Sequence, residues 1–233
     1  MSINRGVSLL NSKIVYDITK FSHLDYPDHL SCIVWFSGCN MRCNYCYNSD
    51  IVYEKSGNYT LFDVLDFLRS RVDMLDAVVL SGGEASSYEL LEFCREIKKM
   101  GFLIKLDTNG TNFKNFQSLY EADLLDFVAL DYKAPVYKYQ EITKSSKFDE
   151  FSKSLKYLIN GDVDFEVRTT VHADMLNEKD INSIIRDLKK RGYGGKYYLQ
   201  SFLDTGTNIG NVGQAQNSFD KSLLSNDIEL VWR

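Results

Sequence analysis

Six short apolar runs, separated by stretches of helical periodicity, constrain the fold of this chain more than any other feature of its sequence. The runs have the length and the branched and aromatic composition of strands, and they span residues 30–37, 77–81, 102–107, 126–131, 164–171 and 196–202. Helical spacing relates the apolar residues between them, which include Leu61, Val64, Leu65 and Leu68; Leu90, Leu91, Cys94 and Ile97; Phe151, Leu155 and Leu158; and Ile181, Ile184, Ile185 and Leu188. This alternation predicts an α/β fold with a parallel sheet, in the form of an incomplete (β/α)6 barrel with outer helices.

Motifs with polar or glycine residues follow the first five predicted strands. In chain order they are Cys39 to Cys46, Gly82-Gly83-Glu84, Asp107, Asp131 with Lys133, and His172. Parallel α/β sheets bind ligands at the carboxyl ends of their strands, where the loops converge. The sequence therefore predicts that these motifs contribute to one site.

Three of the five cysteines, Cys39, Cys43 and Cys46, fall within eight residues at a C-x3-C-x2-C spacing. A four-iron cluster takes one thiolate per iron, so three cysteines leave one iron open to a ligand from outside the protein. This spacing favours an iron–sulfur cluster.

A structural zinc site is the alternative, with Cys32 as the fourth ligand. Such sites usually combine two separated cysteine pairs, and here Cys43 and Cys46 form one pair without a second. Cys32 lies in an apolar run and Cys94 on the apolar face of a predicted helix, so both are predicted to be buried thiols. A disulfide is disfavoured because an acidic chain without a recognisable leader is expected in a reducing compartment.

The cysteine loop, with Tyr45 before its last cysteine, resembles the cluster motif of the radical S-adenosylmethionine (SAM) superfamily. The segments Ser81 to Glu84, Leu106 to Gly110 and Leu130 to Lys133 follow it in the order seen in the activating enzymes of glycyl-radical proteins. Residues 24–30 and 36–40 are similar to the activating protein of the anaerobic ribonucleoside-triphosphate reductase. The resemblance covers about residues 15–203.

The resemblance implies a [4Fe-4S] cluster on Cys39, Cys43 and Cys46, with SAM bound at the open iron. Reductive cleavage of SAM would give a 5′-deoxyadenosyl radical, which takes a hydrogen atom from a glycine of a partner enzyme. The implied partner is the anaerobic ribonucleoside-triphosphate reductase, and the implied electron donor is a low-potential protein such as flavodoxin or ferredoxin. No side chain is required as a general acid or base.

The resemblance also implies roles for individual residues. Gly82, Gly83 and Glu84 would receive the methionyl amino group, although the glycine pair also suits a tight strand-to-helix turn. Strand alternation adds Arg168 and His172 on one face of the fifth strand. The complete set assigned to cofactor binding is Tyr45, Tyr47, Gly82, Gly83, Glu84, Asp107, Asn109, Lys133, Arg168, His172 and Gln200.

Asp107 and Asp131 end neighbouring predicted strands, and two carboxylates so placed are costly unless a cation or an ammonium group lies between them. The activating enzymes imply a monovalent cation, which would be bound here by Asp107, Thr108 and Asp131. The alternative is that residues 107–110 form an Asx-type turn.

Length and composition predict one domain over residues 1–233, with an N-terminal extension (1–29), a partial barrel (30–203) and a C-terminal loop and tail (204–233). The net charge of −5 disfavours nucleic-acid binding. The chain lacks the apolar run of about 18 residues that a membrane span needs, so a cytoplasmic protein is expected. The polar loop 204–219 is interpreted either as a mobile connection or as a segment that closes over a partner's loop.

Two departures from the activating enzymes leave other functions open. Tyr47 stands where many members have histidine, and Ala85 rather than proline follows Glu84. One alternative is a small-molecule radical SAM enzyme of the 7-carboxy-7-deazaguanine synthase type. The other is a non-catalytic, zinc-stabilised binding module.

Overall fold

The computed structural model describes residues 9–233. Its backbone divides into two compact units. The first comprises residues 9–40, 50–108 and 112–128, and the second comprises residues 41–49, 109–111 and 129–233. The predicted N-terminal extension, residues 1–29, begins outside the described residues, and its described part contains a strand.

The first unit contains four strands in the order β1 (Val15–Ser22), β2 (Ser31–Phe36), β3 (Ala77–Gly82) and β4 (Leu103–Thr108). β1 is antiparallel to β2, whereas β2, β3 and β4 are mutually parallel. The last three strands match the predicted runs closely. The sequence did not predict β1, because most of its residues are only partly buried or exposed and it therefore lacks a continuous apolar run.

The helices of this unit are α1 (Ser49–Tyr53, which starts at the unit boundary), α2 (Leu61–Arg69), α3 (Leu91–Lys99) and α4 (Phe113–Glu121). α2 begins in a capping box, in which Thr60 and Asp63 each accept the other's backbone N–H. Gly101 follows α3 in the left-handed conformation, with a φ of +88°. The sequence predicted α2 and α3 but not α1 and α4.

The apolar core of the first unit explains why its strands form. Tyr26, Ile33, Ala77 and Val79 are buried together, with Trp35, Leu103 and Phe127 packed against them. Full burial of one large apolar side chain contributes about 1.5–3 kcal/mol. Cys32 and Cys94 are both fully buried, and burial raises the pKa of each thiol to about 12. The prediction that these two cysteines are buried thiols is confirmed.

The second unit begins within β5 (Phe127–Asp131) and contains β6 (Asp164–Val171), β7 (Tyr197–Ser201) and β8 (Leu230–Trp232), of which the last three pair in parallel in that order. Its helices are α5 (Val136–Thr143), α6 (Phe148–Ile159) and α7 (Glu178–Arg191). α7 starts in a capping box formed by Asn177 and Asp180. It ends at Gly192, whose left-handed conformation caps the helix, as the sequence indicated.

The predicted α/β class is confirmed. The six predicted strands are β2 to β7, and β1 and β8 are additional. β8 lies in the segment expected to be a C-terminal loop and tail, where a run of three strand residues is too short to detect by periodicity. No helix in residues 9–233 is both long and apolar enough to cross a membrane.

Candidate functional site

The cysteine loop follows β2, and all five cysteines of the chain are thiols rather than disulfides. Residues 41–47, here called the cluster loop, belong to the second unit. The N–H groups of Arg42 and Asn44 donate to the carbonyl oxygens of Thr143 and Ile142 at 2.9 and 3.1 Å, at the end of α5. The Cys46 N–H donates to the Cys43 carbonyl oxygen at 3.0 Å, so the second and third cysteines share one tight turn.

Cys43 and Tyr45 are buried in the cluster loop, whereas Tyr47 is exposed. Burial raises the pKa of Cys43 to about 11, against the opposing effect of the Lys133 charge. The Tyr45 hydroxyl is buried and has no hydrogen-bond partner among residues 9–233. Because a buried polar atom without a partner is costly, this hydroxyl is a candidate contact for a bound group.

The turn of Gly82 and Gly83 packs against backbone of the first unit. A Cβ at Gly82, whose φ is +108°, would lie 2.4 Å from the Phe36 nitrogen. A Cβ at Gly83 would lie 1.9 Å from the Gly38 carbonyl oxygen, which also accepts the Glu84 N–H at 2.9 Å. Both glycines are therefore needed to bring this turn onto the backbone that leads into Cys39. Their contact with the methionyl amino group stays a prediction.

Glu84 is buried, and several hydrogen bonds fix its carboxylate. Oε1 accepts hydrogen bonds from the Ser86 hydroxyl at 2.6 Å and from the Thr108 hydroxyl at 2.7 Å. The Ser86 N–H also donates to it, so Glu84 caps the short 3-10 turn of residues 85–87. These bonds place Glu84 and Thr108, two predicted site residues, in direct contact.

Asp107 forms an ion pair that the sequence analysis missed. Its carboxylate lies 2.7 Å from the Lys105 ammonium group and accepts a hydrogen bond from the Ser81 hydroxyl at 3.2 Å. Lys105 is only 4% exposed, within a strand. The sequence signal for this pair is a lysine within an apolar run, two positions before Asp107. Strand alternation puts the two side chains on one face, and a buried lysine needs a partner.

Asn109 is buried and forms an Asx-type turn. Its side-chain oxygen accepts hydrogen bonds from the Thr111 N–H at 3.0 Å and from the Thr111 hydroxyl at 2.6 Å. The next carbonyl, that of Gly110, accepts a hydrogen bond from the Ser154 hydroxyl at 2.7 Å. An Asx-type turn was the alternative to the cation site, and it is present from Asn109 onward. The monovalent cation stays a prediction.

Asp131 joins two cations in the second unit. The Arg168 Nε lies 2.6 Å from Oδ1, and the Lys133 Nζ lies 2.9 Å from Oδ2. Burial alone would raise the pKa of Asp131, but the Arg168 and Lys133 charges outweigh it and hold this pKa at about 2. Burial opposes the charge of Lys133, yet the Asp131 carboxylate raises the pKa of Lys133 overall. These three side chains comprise one carboxylate and two cations.

His172 is buried and both of its ring nitrogens are engaged. The Asp174 N–H donates to Nδ1 at 3.3 Å, so Nε2 carries the hydrogen and donates it to the Gly213 carbonyl oxygen at 2.9 Å. The Phe202 ring packs edge-on at 4.9 Å. Gln200 is half-buried on β7, paired with Thr170 of β6. Contacts of His172 and Gln200 with SAM stay predictions.

The donor set fits an iron–sulfur cluster better than a closed zinc site. Cys32 and Cys94 are committed to the core, so the chain offers the three thiols of Cys39, Cys43 and Cys46 and no fourth. In residues 9–233 no three His, Cys, Asp or Glu side chains are grouped as ligands of a metal ion. Ligation by the three cysteines stays a prediction.

Comparison with known proteins identifies relatives of this chain. A protein of Methanocaldococcus jannaschii, provisionally named a glycyl-radical enzyme activating enzyme, is 33% identical over 186 residues, which are 76% of this chain and 75% of that protein. The 7-carboxy-7-deazaguanine synthase of Clostridium acetobutylicum is 26% identical over 167 residues, 67% of this chain and 72% of that enzyme.

Among solved structures, Streptococcus suis SuiB bound to S-adenosylmethionine superposes with a TM-score of 0.64 at 12% identity. The match covers 86% of this chain but about half, 51%, of SuiB. It shows a shared fold and confirms the predicted radical SAM partial barrel. The sequence pattern of the radical SAM superfamily matches residues 33–188, about two thirds of the 233 residues. This chain therefore belongs to the radical SAM superfamily.

Proposed function

We propose that this chain cleaves SAM reductively and uses the resulting radical to activate a glycyl-radical enzyme. The observation that carries the proposal is the C-x3-C-x2-C motif in a radical SAM chain that is 33% identical to a protein named as such an activating enzyme. Cys39, Cys43 and Cys46 would hold a [4Fe-4S] cluster. When bound, the cluster supplies the electron that splits SAM into methionine and a 5′-deoxyadenosyl radical.

The chain's own residues bind and orient SAM in this proposal. Lys133, which is held by Asp131, would face the methionyl carboxylate, an anionic group that an ammonium group attracts. The unpartnered hydroxyl of Tyr45 offers a hydrogen bond in a buried setting. Glu84, held by Ser86 and Thr108, presents a fixed negative charge for the methionyl ammonium.

Burial of Cys43 and Tyr45 keeps water away from this part of the site, which protects a reactive radical from side reactions. Tyr47, Asp107, Asn109, His172 and Gln200 complete the proposed SAM-binding set. Asp107, Thr108 and Asp131 are the proposed ligands of a monovalent cation.

The proposed partner is the anaerobic ribonucleoside-triphosphate reductase, with flavodoxin or ferredoxin as electron donor. Support for a glycyl-radical partner comes from the name of the Methanocaldococcus jannaschii relative. The choice of reductase rests on the sequence resemblance at residues 24–30 and 36–40.

A second candidate is a small-molecule radical SAM enzyme. It is favoured by the match to a 7-carboxy-7-deazaguanine synthase over 67% of this chain. Such an enzyme would bind its substrate without a protein partner.

The test is 5′-deoxyadenosine formation from SAM by the reduced protein after anaerobic reconstitution with iron and sulfide. The measurement is made with and without the candidate reductase. Cys94→Ala, which changes a buried thiol outside the cysteine loop, serves as the matched control for Cys43→Ala. A glycine-centred radical that appears only with the reductase supports activation. Turnover with a small deazapurine precursor and no radical on the reductase would support the second candidate. A protein with a full complement of iron and sulfide that releases no nucleoside would refute SAM cleavage.

A further inference from the structure

The polar segment of residues 208–217, here called the strap, is an ordered turn rather than an unstructured connection. The buried Asn208 holds it together, since its side-chain oxygen accepts the Val212 N–H at 2.7 Å and its amide donates to the Val212 carbonyl at 2.6 Å. A side chain that closes the backbone on itself in this way rigidifies a short loop.

The strap pairs with the cluster loop in the second unit. The Ile209 N–H donates to the Cys46 carbonyl oxygen at 3.0 Å, and the Gly210 N–H donates to the Asn44 carbonyl oxygen at 2.7 Å. A Cβ at Gly210 would lie 2.8 Å from that same Asn44 oxygen. Gly210 is therefore required for the strap to approach the cluster loop this closely.

Two side chains anchor the far end of the strap. His172 donates from Nε2 to the Gly213 carbonyl oxygen at 2.9 Å. The Asp174 carboxylate accepts the Gln216 N–H at 2.9 Å and the Asn217 N–H at 2.8 Å. These hydrogen bonds lower the pKa of Asp174, so the anchor is ionised at neutral pH.

We propose that the strap positions the third cysteine of the cluster loop, and that Gly210 and Asn208 are positioning residues for the iron–sulfur site. This inference rests on the proposed function, because it assigns the strap a purpose at the proposed cluster. The cluster loop has two supports. Its N–H groups donate to carbonyl oxygens at the end of α5, and its carbonyl oxygens accept N–H groups of the strap. With both supports the backbone on either side of Tyr45 is fixed.

The geometry predicts what is lost without the strap. The carbonyl oxygens of Asn44 and Cys46 would lose their partners, and the half-buried Cys46 thiol would gain freedom and exposure. Two hydrogen bonds of about 1 kcal/mol each correspond to roughly a thirtyfold change in the population of the open loop. The cluster-free protein should therefore reveal the effect before any cluster is loaded.

The first experiment measures the iodoacetamide labelling rate of Cys46 in the full-length, cluster-free protein. Tryptic cleavage after Arg42 separates Cys39, the internal reference, from the peptide that contains Cys43 and Cys46, and fragment ions of that peptide assign the label to Cys46. Gly210→Ala should raise the labelling rate of Cys46 about thirtyfold, from the two lost hydrogen bonds. The matched control is Gly213→Ala, because a Cβ at Gly213 meets no atom within 4 Å.

Asn208→Ala is the second variant, since it loosens the strap without adding a clash, and it is expected to raise labelling of Cys46 as well. Circular dichroism confirms that each variant is folded. Equal Cys46 labelling in wild type, Gly210→Ala and Asn208→Ala would overturn the proposal, as would equal acceleration by Gly213→Ala.

The second experiment examines the reconstituted protein. Gly210→Ala should shift the reduction potential and the electron paramagnetic resonance spectrum of the cluster, whereas Gly213→Ala should leave both unchanged. Unchanged spectra in a folded, iron-loaded Gly210→Ala protein would refute the positioning role. Failure of SAM cleavage in wild type would instead count against the proposed function, and the labelling result would still decide whether the strap holds Cys46.

Discussion

Replacement of Asp131 by asparagine tests how much the buried charge triad of Asp131, Arg168 and Lys133 contributes to the free energy of unfolding. Asp131 bonds to Arg168 at 2.6 Å and to Lys133 at 2.9 Å, and the three side chains are 15–19% exposed. Asparagine at this position would keep the shape of the side chain but remove its charge. The two cations would then face each other without a counter-ion.

The magnitude follows from the pKa of Asp131, which falls from the usual 3.8 to about 2. Each pKa unit is worth about 1.4 kcal/mol, so the charged form of Asp131 stabilises the folded chain by roughly 2–3 kcal/mol at neutral pH. Asparagine is neutral like the protonated acid. Asp131→Asn should therefore lower the free energy of unfolding by roughly 2–3 kcal/mol.

The sign of the pH dependence is fixed by the lowered pKa. The folded protein holds the carboxyl pKa below its value in the unfolded chain, so the contribution is complete above about pH 4 and is lost as the pH falls toward 2. The difference between wild type and Asp131→Asn should be constant from about pH 7 to pH 5 and should shrink below about pH 4.

Urea unfolding of the cluster-free protein, followed by circular dichroism, measures this difference. The matched control is Asp66→Asn, because Asp66 is 73% exposed in an ion pair with Arg69 on α2. An exposed pair of this kind contributes less than about 1 kcal/mol. If Asp131→Asn costs no more than Asp66→Asn, the triad does not stabilise the protein and the argument from its pKa is wrong.

Three further predictions concern the cysteine loop and its surroundings. Cys43→Ala should abolish the incorporation of iron and sulfide, whereas Cys94→Ala, which alters a core thiol, should retain it. The measurement is the content of iron and sulfide per chain after reconstitution, and an equal loss in the two variants would contradict the ligand assignment. Gly83→Ala should destabilise the protein by more than about 2 kcal/mol, because its Cβ would fall 1.9 Å from a backbone oxygen, while Gly194→Ala has open space and should change urea unfolding little. Tyr45→Phe should stabilise the cluster-free protein by about 1 kcal/mol, since it removes a buried hydroxyl without a partner, and a loss of stability in the same assay would show that the hydroxyl is bonded.

The sequence was sufficient to predict the strands and helices that bury a continuous apolar face. β2 to β7 were recognised because a buried parallel strand is an almost unbroken apolar run. β1 and β8 escaped prediction for different reasons: β1 alternates with polar residues and β8 has three residues. α1 is only five residues long, too short for a periodic pattern to be distinguished from chance.

Within the candidate site, sequence reasoning located the motifs but not their partners. The ion pair of Lys105 with Asp107 joins positions two apart on one strand, which alternation predicts once the lysine is recognised as buried. The bonds from the strap to Asn44 and Cys46 join segments more than 160 residues apart. No local sequence pattern predicts such a contact, because a hydrogen bond between backbone groups places few requirements on the side chains. Gly210 is an exception, since only a residue without a Cβ fits this close to Asn44.

The ion pairs of Asp107 and Asp131 bear on whether a monovalent cation binds at these carboxylates. Asp107 pairs with Lys105 within the first unit, and Asp131 pairs with Arg168 and Lys133 within the second. A monovalent cation at either carboxylate would have to displace or share an ammonium or guanidinium group that already lies within 2.9 Å. Because both carboxylates are already paired, the predicted cation is the member of the proposed set that a metal-binding measurement should test first.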